Sequence, residues 1–244
     1  TTNLTDPTIA DGSTAMDVAL WDGNSGTQTI SGLGFSPDLV WGKCRSHGAT
    51  SHHLNDAVRG AGKSLFSNAT NAEVTYTNYL TAFTSDGFTL GSGSELNYSG
   101  RTFVGWAWDA GTTTATNTDG SITSNVRANQ SAGFSIVSYT GTGANASVGH
   151  GLNAAPEFLI IKNRTDSENW FVWHGDFPIP TRNGFYLDLT ANVQNFGVTS
   201  FNDTVPSSSV ITLGTNNILN GSGDNYIAYC FTPVAGYSAF GSYT

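Results

Sequence analysis

Gly32-Leu33-Gly34-Phe35-Ser36-Pro37-Asp38-Leu39-Val40-Trp41-Gly42-Lys43-Cys44-Arg45 has a diverged copy later in this chain. It returns as Gly151-Leu152, three residues, Pro156-Glu157-Phe158-Leu159-Ile160, then Lys162 and Arg164, with every matched position displaced by 119. A later string repeats as well. Leu90-Gly91, Asn97, Ser99-Gly100, Phe103 and Trp106 correspond to Leu213-Gly214, Asn220, Ser222-Gly223, Tyr226 and Tyr229, displaced by 123. The sequence therefore reads as two diverged versions of one unit, with about four residues inserted in the second. A unit used twice suits a scaffold or binding surface better than a single active site.

Working outward from these strings, the pattern is of strands. Leu39-Val40-Trp41 is a short apolar run bounded by turn residues, as in a strand buried on both faces. In Thr102 to Trp108, Phe103, Gly105 and Ala107 fall on one face and Val104, Trp106 and Trp108 on the other. Thr81-Ala82-Phe83, Ser85-Asp86-Gly87 and Phe88-Thr89-Leu90 spell strand, tight turn and strand. Met16 to Trp21 and Thr27 to Ser31 read as a hairpin around Asp22-Gly23-Asn24-Ser25-Gly26. The second unit replays the order from Phe134–Tyr139 to Tyr226–Thr232. Helical signal is confined to single turns at Thr70–Glu73 and Leu189–Val193. The expected fold is all-β: two tandem homologous antiparallel β-sandwich units of jelly-roll or lectin-like type. The expected boundaries are a leading linker at 1–14, a first unit at 15–111, a connection at 112–130 and a second unit at 131–244. Ile122 to Val126 could be a strand crossing between the units.

Charged residues make up only 11% of the chain and the net charge is −9. With nine Lys and Arg and no basic cluster, the chain lacks the clustered cations that nucleic acid or an anionic membrane surface requires. Aromatic content of 12% argues against disorder. Nothing resembles a transmembrane span or a signal peptide. Cys44 and Cys230 lie at non-equivalent positions and read as buried free thiols. The chain starts at Thr1, without an initiator Met, and ends in Ser242-Tyr243-Thr244. That ending repeats Ser138-Tyr139-Thr140 and reads as the opening strand of a further unit, so the parent polypeptide is expected to continue.

Candidate chemistry is sparse. His52-His53 with Asp56 is the one tight His/carboxylate cluster, but adjacent strand residues point to opposite faces and would not share a metal ion. There is no Gly-x-Ser-x-Gly elbow and no phosphate-binding glycine loop, since Asn220-Gly221-Ser222-Gly223-Asp224 precedes a strand. Glu73, Glu95, Glu157 and Glu168 are scattered among turns and suggest no glycosidase pair. An enzyme is not expected. No cofactor is expected either, although turn residues such as Asp22, Asn24, Asn217, Asn220 and Asp224 have the oxygen chemistry to hold calcium. The repeated cations Lys43/Arg45 and Lys162/Arg164 either cover the sheet with their stems or bind an anionic glycan. Trp41, Trp106, Trp108, Trp170 and Trp173 could form a sugar-stacking platform, but such residues are more often core. The candidate binding residues are Lys43, Arg45, Lys162, Arg164, Trp170 and Trp173.

Several strings carry a resemblance to a known family. Gly32 to Trp41, Leu80 to Gly91, Thr102 to Trp108, Asn117 to Ser124, Val148 to Leu152 and Asn220 to Phe231 resemble an uncharacterised tandem-repeat domain. That domain occurs in large virion and tail-fibre-like proteins of marine tailed bacteriophages, often after a lectin-like segment. The resemblance covers nearly the whole chain from Asn3 onward. The chain departs from the pattern at Cys44 and at Phe177-Pro178-Ile179-Pro180. The resemblance implies a virion location and a structural role, most simply a fragment of a tail-fibre or host-surface glycan-binding protein. The partners it implies are other virion proteins and a host-surface glycan, and a fibre would suit a homotrimer. It assigns no catalytic residues. A capsid decoration protein, or a carbohydrate-binding module of a secreted enzyme, is the alternative.

Overall fold

The computed structural model describes residues 8–242. Two compact units divide the chain, one of Asp11–Ala110 and one that begins at Gly111 and also takes residues 8–10. Both are antiparallel β-sandwiches, with one short α-helix each among the described residues.

In the first unit, chain order gives β1 (Met16–Asp22), β2 (Gln28–Ser31), β3 (Leu39–Cys44), β4 (His53–Asp56), β5 (Lys63–Phe66), β6 (Val74–Thr75), β7 (Leu80–Thr84), β8 (Gly87–Leu90), α1 (Ser94–Asn97) and β9 (Thr102–Trp108). One sheet has the order β1-β9-β3-β4-β5-β6 and the other β2-β8-β7. Strict alternation sends Ala19, Trp21, Val40, Cys44, Phe103 and Ala107 inward, where they meet Ile30, Phe88 and Leu90 of the smaller sheet. Trp21 stacks on Phe103 at 5.6 Å and meets Phe88 edge-on, filling the layer between the sheets.

The second unit has β10 (Ala115–Asn117), β11 (Ser124–Asn129), β12 (Phe134–Thr140), β13 (Ala146–Gly149), β14 (Phe158–Asn163), β15 (Phe171–His174), β16 (Asn183–Tyr186), β17 (Gln194–Asn195), β18 (Val210–Leu213), α2 (Asn217–Asn220) and β19 (Asn225–Phe231). Its large sheet runs β10-β11-β12-β19-β14-β15-β16-β17 and its small one β13-β18. From β12 onward the large sheet has the strand order of the first unit's, with β10 and β11 added at one edge. Where the first unit has β7, the second has turns across residues 198–203. Tyr139 stacks on Tyr226 at 5.1 Å, as Trp21 does on Phe103.

Four expectations are corrected. Met16–Asp22 and Gln28–Ser31 are not a hairpin: β1 pairs with β9 and β2 with β8, so the turn crosses between sheets. The cause is a close approach at Gly23, where a Cβ would lie 2.1 Å from the Tyr98 carbonyl oxygen. Gly141 makes the same approach to the Gly221 oxygen, at 2.3 Å. Residues 112–130 are not a bare connection, because β10 and β11 belong to the second unit's sheet. In the leading segment, Thr8 donates its N–H to the Ala235 oxygen and Asp11 caps a 3-10 turn at Gly12–Thr14, while residues 1–7 lie outside the described residues. The single helical turns are at Ser94–Asn97 and Asn217–Asn220, not at Thr70–Glu73 and Leu189–Val193. Tyr243 and Thr244 of the closing Ser-Tyr-Thr string also lie outside the described residues. Cys44 and Cys230 are both free and buried. Among the described residues no helix is long and apolar enough to cross a membrane.

Candidate binding cleft

The outward face of the first unit's large sheet carries three half-buried tryptophans. Trp41 lies directly across from Trp106, and Leu39 across from Trp108, in the antiparallel pairing of β3 with β9. Neighbouring side chains on one sheet face stand close enough for large rings to touch. The Trp41 and Trp106 rings meet edge-on with centroids 6.4 Å apart. Trp41 Nε1 donates to Ser67 Oγ at 3.0 Å, which fixes the ring's tilt and satisfies its one polar atom. Trp41, Trp106 and Trp108 line a cleft of about 280 Å³. Val18 and Leu20 of β1 extend the apolar face; they are 44% and 62% exposed.

Cations flank the cleft on one side. Lys43 follows Trp41 by two residues on the same face of β3 and makes no ion pair among the described residues. His53 pairs with Gly42, so His52 stands beside Lys43. Burial, and then the charge of Lys43, lower the His52 pKa. Arg45 is exposed just beyond the strand, where its backbone N–H donates to the Thr102 oxygen at 2.7 Å. This arrangement can stack flat apolar rings against indoles and offer a cation to an acidic substituent.

The second unit does not reproduce the cleft, and four of the expected binding residues are corrected. Lys162 is fully buried, with Nζ donating to the Asn163 oxygen at 2.5 Å and the Asp166 oxygen at 3.4 Å. Burial pushes its pKa down to about 8, against the pull of Asp188, Glu168 and Asp166. Arg164 is half-buried and donates through Nη1 to Ser138 Oγ at 3.0 Å. Trp170 and Trp173 are 0% and 2% exposed, and Trp173 Nε1 donates to the Pro180 oxygen at 2.7 Å. The Phe177-Pro178-Ile179-Pro180 remodelling thus supplies an acceptor for a core indole. At the places of Trp41 and Trp106 stand Ile160 and Tyr229, both buried. At the place of Trp108 stands Phe231, which packs with Phe158 and Phe240. Of the six nominated residues, only Lys43 and Arg45 lie by the cleft.

The His52-His53-Asp56 cluster is pulled apart by the strand. His53 points into the unit, with Nε2 2.7 Å from Glu95 Oε2 and Nδ1 3.5 Å from Ser64 Oγ. Rings of Phe66 and Tyr79 wall it in. The hydrogen bond from His53 lowers the Glu95 pKa. Ser64 is itself buried and accepts from Asn55 Nδ2 at 2.9 Å, so this Ser-His-Glu line holds the core and presents no nucleophile at a surface. Asp56 instead accepts from Arg59 Nε at 2.5 Å. Loop residues considered for calcium are turned to local bonds: Asn24 Oδ1 accepts from Gly26 N–H, and Asp224 Oδ2 from Asn163 Nδ2. Among the described residues no three His, Cys, Asp or Glu side chains gather as a metal site.

The chain belongs to DUF7483, a domain of unknown function, which matches residues 11–244. The match begins where the first unit begins and spans both units. No curated protein and no solved structure matches the chain.

Sequence reasoning missed Glu95 as the partner of His53, because a separation of 42 residues leaves no local pattern. In sequence, Trp41, Trp106 and Trp108 are equal candidates for a platform with Trp170 and Trp173. The usable signal was their alternation on strands whose opposite face is already apolar.

Proposed function

We propose that this DUF7483 chain is a non-enzymatic, glycan-binding part of a tailed-phage virion, tail-fibre-like in role, and that the Trp41/Trp106/Trp108 cleft is its binding site. The observation that carries this reading is the cleft itself. Large indoles on the outer face of a sheet expose flat apolar area that a folded protein ordinarily covers. Pyranose rings present matching apolar faces. The sequence resemblance to phage virion repeats supports the location. The same cleft would serve a carbohydrate-binding module of a secreted enzyme, so the two parts of the proposal need separate tests.

The binding test is a titration of the protein with bacterial surface polysaccharides, followed by tryptophan fluorescence and calorimetry. Binding should be saturable and should fall about tenfold or more in Trp41→Ala and Trp106→Ala, which leave the folded circular dichroism spectrum intact. Binding that survives both substitutions, or absence of binding across the panel, would refute the cleft as a glycan site. The location test is mass spectrometry of purified particles of a phage that encodes the chain. Stoichiometric peptides are expected, and their absence would move the chain out of the virion.

A further inference from the structure

The two large sheets treat the same edge differently. In the second unit, the side of β12 that faces away from β19 is paired antiparallel by β11, with Asn125 across from Ser138 and Arg127 across from Ile136. In the first unit, β1 occupies the same place in the strand order but, among the described residues, has β9 on one side and no strand on the other. Backbone phase shows which groups are left. Asp109 N–H donates to the Ala15 oxygen and Gly23 N–H to the Arg101 oxygen, so Ala15, Asp17, Ala19, Trp21 and Gly23 face β9. Met16, Val18, Leu20 and Asp22 therefore turn their backbone groups to the open side.

Only side chains guard this edge. Asp17 Oδ1 accepts from the Val18 N–H at 2.7 Å, and Gln28 Nε2 donates to the Asp22 oxygen at 3.1 Å. Leu20, between them, has neither guard, and its side chain is the most exposed large apolar one in the unit at 62%. Asp17 and Asp22 are the strand's charged residues; it has no Lys, no Pro and no shift in register with its neighbour.

We propose that the β1 edges of two copies of this chain pair antiparallel about a two-fold axis at Ala19, with Val18 of each copy opposite Leu20 of the other. The sequence Met16-Asp17-Val18-Ala19-Leu20-Trp21-Asp22 is suited to meeting itself. This register alone overlaps all seven residues of the strand. It sets the two exposed apolar side chains against each other twice, Asp17 against Trp21 and Asp22 against Met16, so that no carboxylate faces another. It also lets the unguarded Leu20 N–H donate to the Val18 oxygen of the other copy, and the Leu20 oxygen accept from the Val18 N–H in place of Asp17 Oδ1. In the second unit the corresponding edge carries an antiparallel strand, β11 on β12. Such pairing is isologous and closes on itself. Because β9 and β3 follow β1 in the sheet, it would place two tryptophan clefts on one continuous face. The contact is small, which puts it among weak, concentration-dependent associations.

The test is sedimentation velocity of the whole chain from low micromolar to millimolar concentration. The wild type should pass from monomer to dimer. Leu20→Lys and Val18→Glu should each weaken the dimer about tenfold or more, and the double variant Val18→Glu/Leu20→Lys should restore it, since each new acid then faces a new base. Circular dichroism should be the same for all four proteins. Hydrogen exchange at the Leu20 amide should slow as the dimer forms. A chain that stays monomeric throughout, an oligomer that Leu20→Lys leaves unchanged, or single variants that the double variant does not rescue would each overturn the proposal.

Discussion

Asn97 and Asn220 make the same hydrogen bonds in two different units. Asn97 Oδ1 accepts from the Asn24 N–H at 2.9 Å, and Nδ2 donates to the Gly26 and Gly91 oxygens at 2.6 and 2.8 Å. Asn220 Oδ1 accepts from the Thr142 N–H at 2.8 Å, and Nδ2 donates to the Ala144 and Gly214 oxygens, each at 2.7 Å. Each amide ties the crossing between the two sheets to the end of the short helix. Both side chains are fully buried, and the bonds to the Gly91 and Gly214 oxygens are buried with them. Asn97→Ala or Asn220→Ala should therefore cost on the order of 2–4 kcal/mol, measured by urea denaturation. Hydrogen exchange should place the loss in the unit that carries the substitution.

A second matched pair allows a smaller change. Trp21 Nε1 donates to the Leu96 oxygen at 2.9 Å, and the Tyr139 hydroxyl to the Leu219 oxygen at 2.7 Å. Tyr139→Phe keeps the stacked ring and removes only the donor. It should destabilise by about 1–2 kcal/mol in thermal or urea melts, most of it from the stranded Leu219 carbonyl. Trp21→Phe should cost more, because it also vacates volume between the sheets.

Lys162 predicts a pH dependence. Its pKa is about 8 in the folded protein against 10.5 for an ordinary lysine. Between those values the unfolded chain binds the extra proton, so stability rises with pH across the window and the gain is lost as pH falls through 8. The full difference is on the order of 3 kcal/mol. Cys230 works in the opposite sense: burial pushes its thiol up to about 12, so from pH 9 upward the unfolded chain loses a proton that the folded chain keeps. The signature of Lys162 is therefore the difference between the wild type and Lys162→Met. The wild type should gain stability relative to the variant from pH 8 to pH 10. Parallel curves would show that the amine is not held in this state.

The cleft makes an optical prediction. Trp41, Trp106 and Trp108 are half-buried, whereas Trp21, Trp170 and Trp173 are buried. Acrylamide should quench the fluorescence in two classes, and Trp41→Phe/Trp106→Phe should remove most of the quenchable one. An unchanged quenching curve would contradict the exposed cleft.

What could be read in the sequence follows the range of the physics. Alternation in Thr102–Trp108 reported both faces of β9, because burial on a strand has a period of two. The repeated Asn97 and Asn220 marked a shared structural need, although Asn220 read only as turn chemistry. The crossing at Gly23 stayed hidden: Asp22-Gly23-Asn24 suits a hairpin locally, and the decisive approach comes from Tyr98, far along the chain. Trp170 and Trp173 looked like surface candidates because an indole suits a core as well as a cleft, and only tertiary burial separates the two. Lys162 matched Lys43 in sequence, yet the first amine is buried and the second is not.

The slot that holds His53 has a consequence for how these units can change. In the first unit it is filled by His53, Ser64 and Glu95, joined by hydrogen bonds; in the second, the same places carry Phe171, Gly184 and Ile218. A Cβ on Gly184 would lie 2.4 Å from the Phe171 ring, so the aromatic fits only because the neighbouring strand has no side chain there. Grafting one member alone therefore fails in either direction. Phenylalanine at 53 would meet the serine and strand the glutamate, and serine at 184 would strike the ring. The three positions form an indivisible set, and a chimera that exchanges a single helix or strand between the units inherits half of a lock.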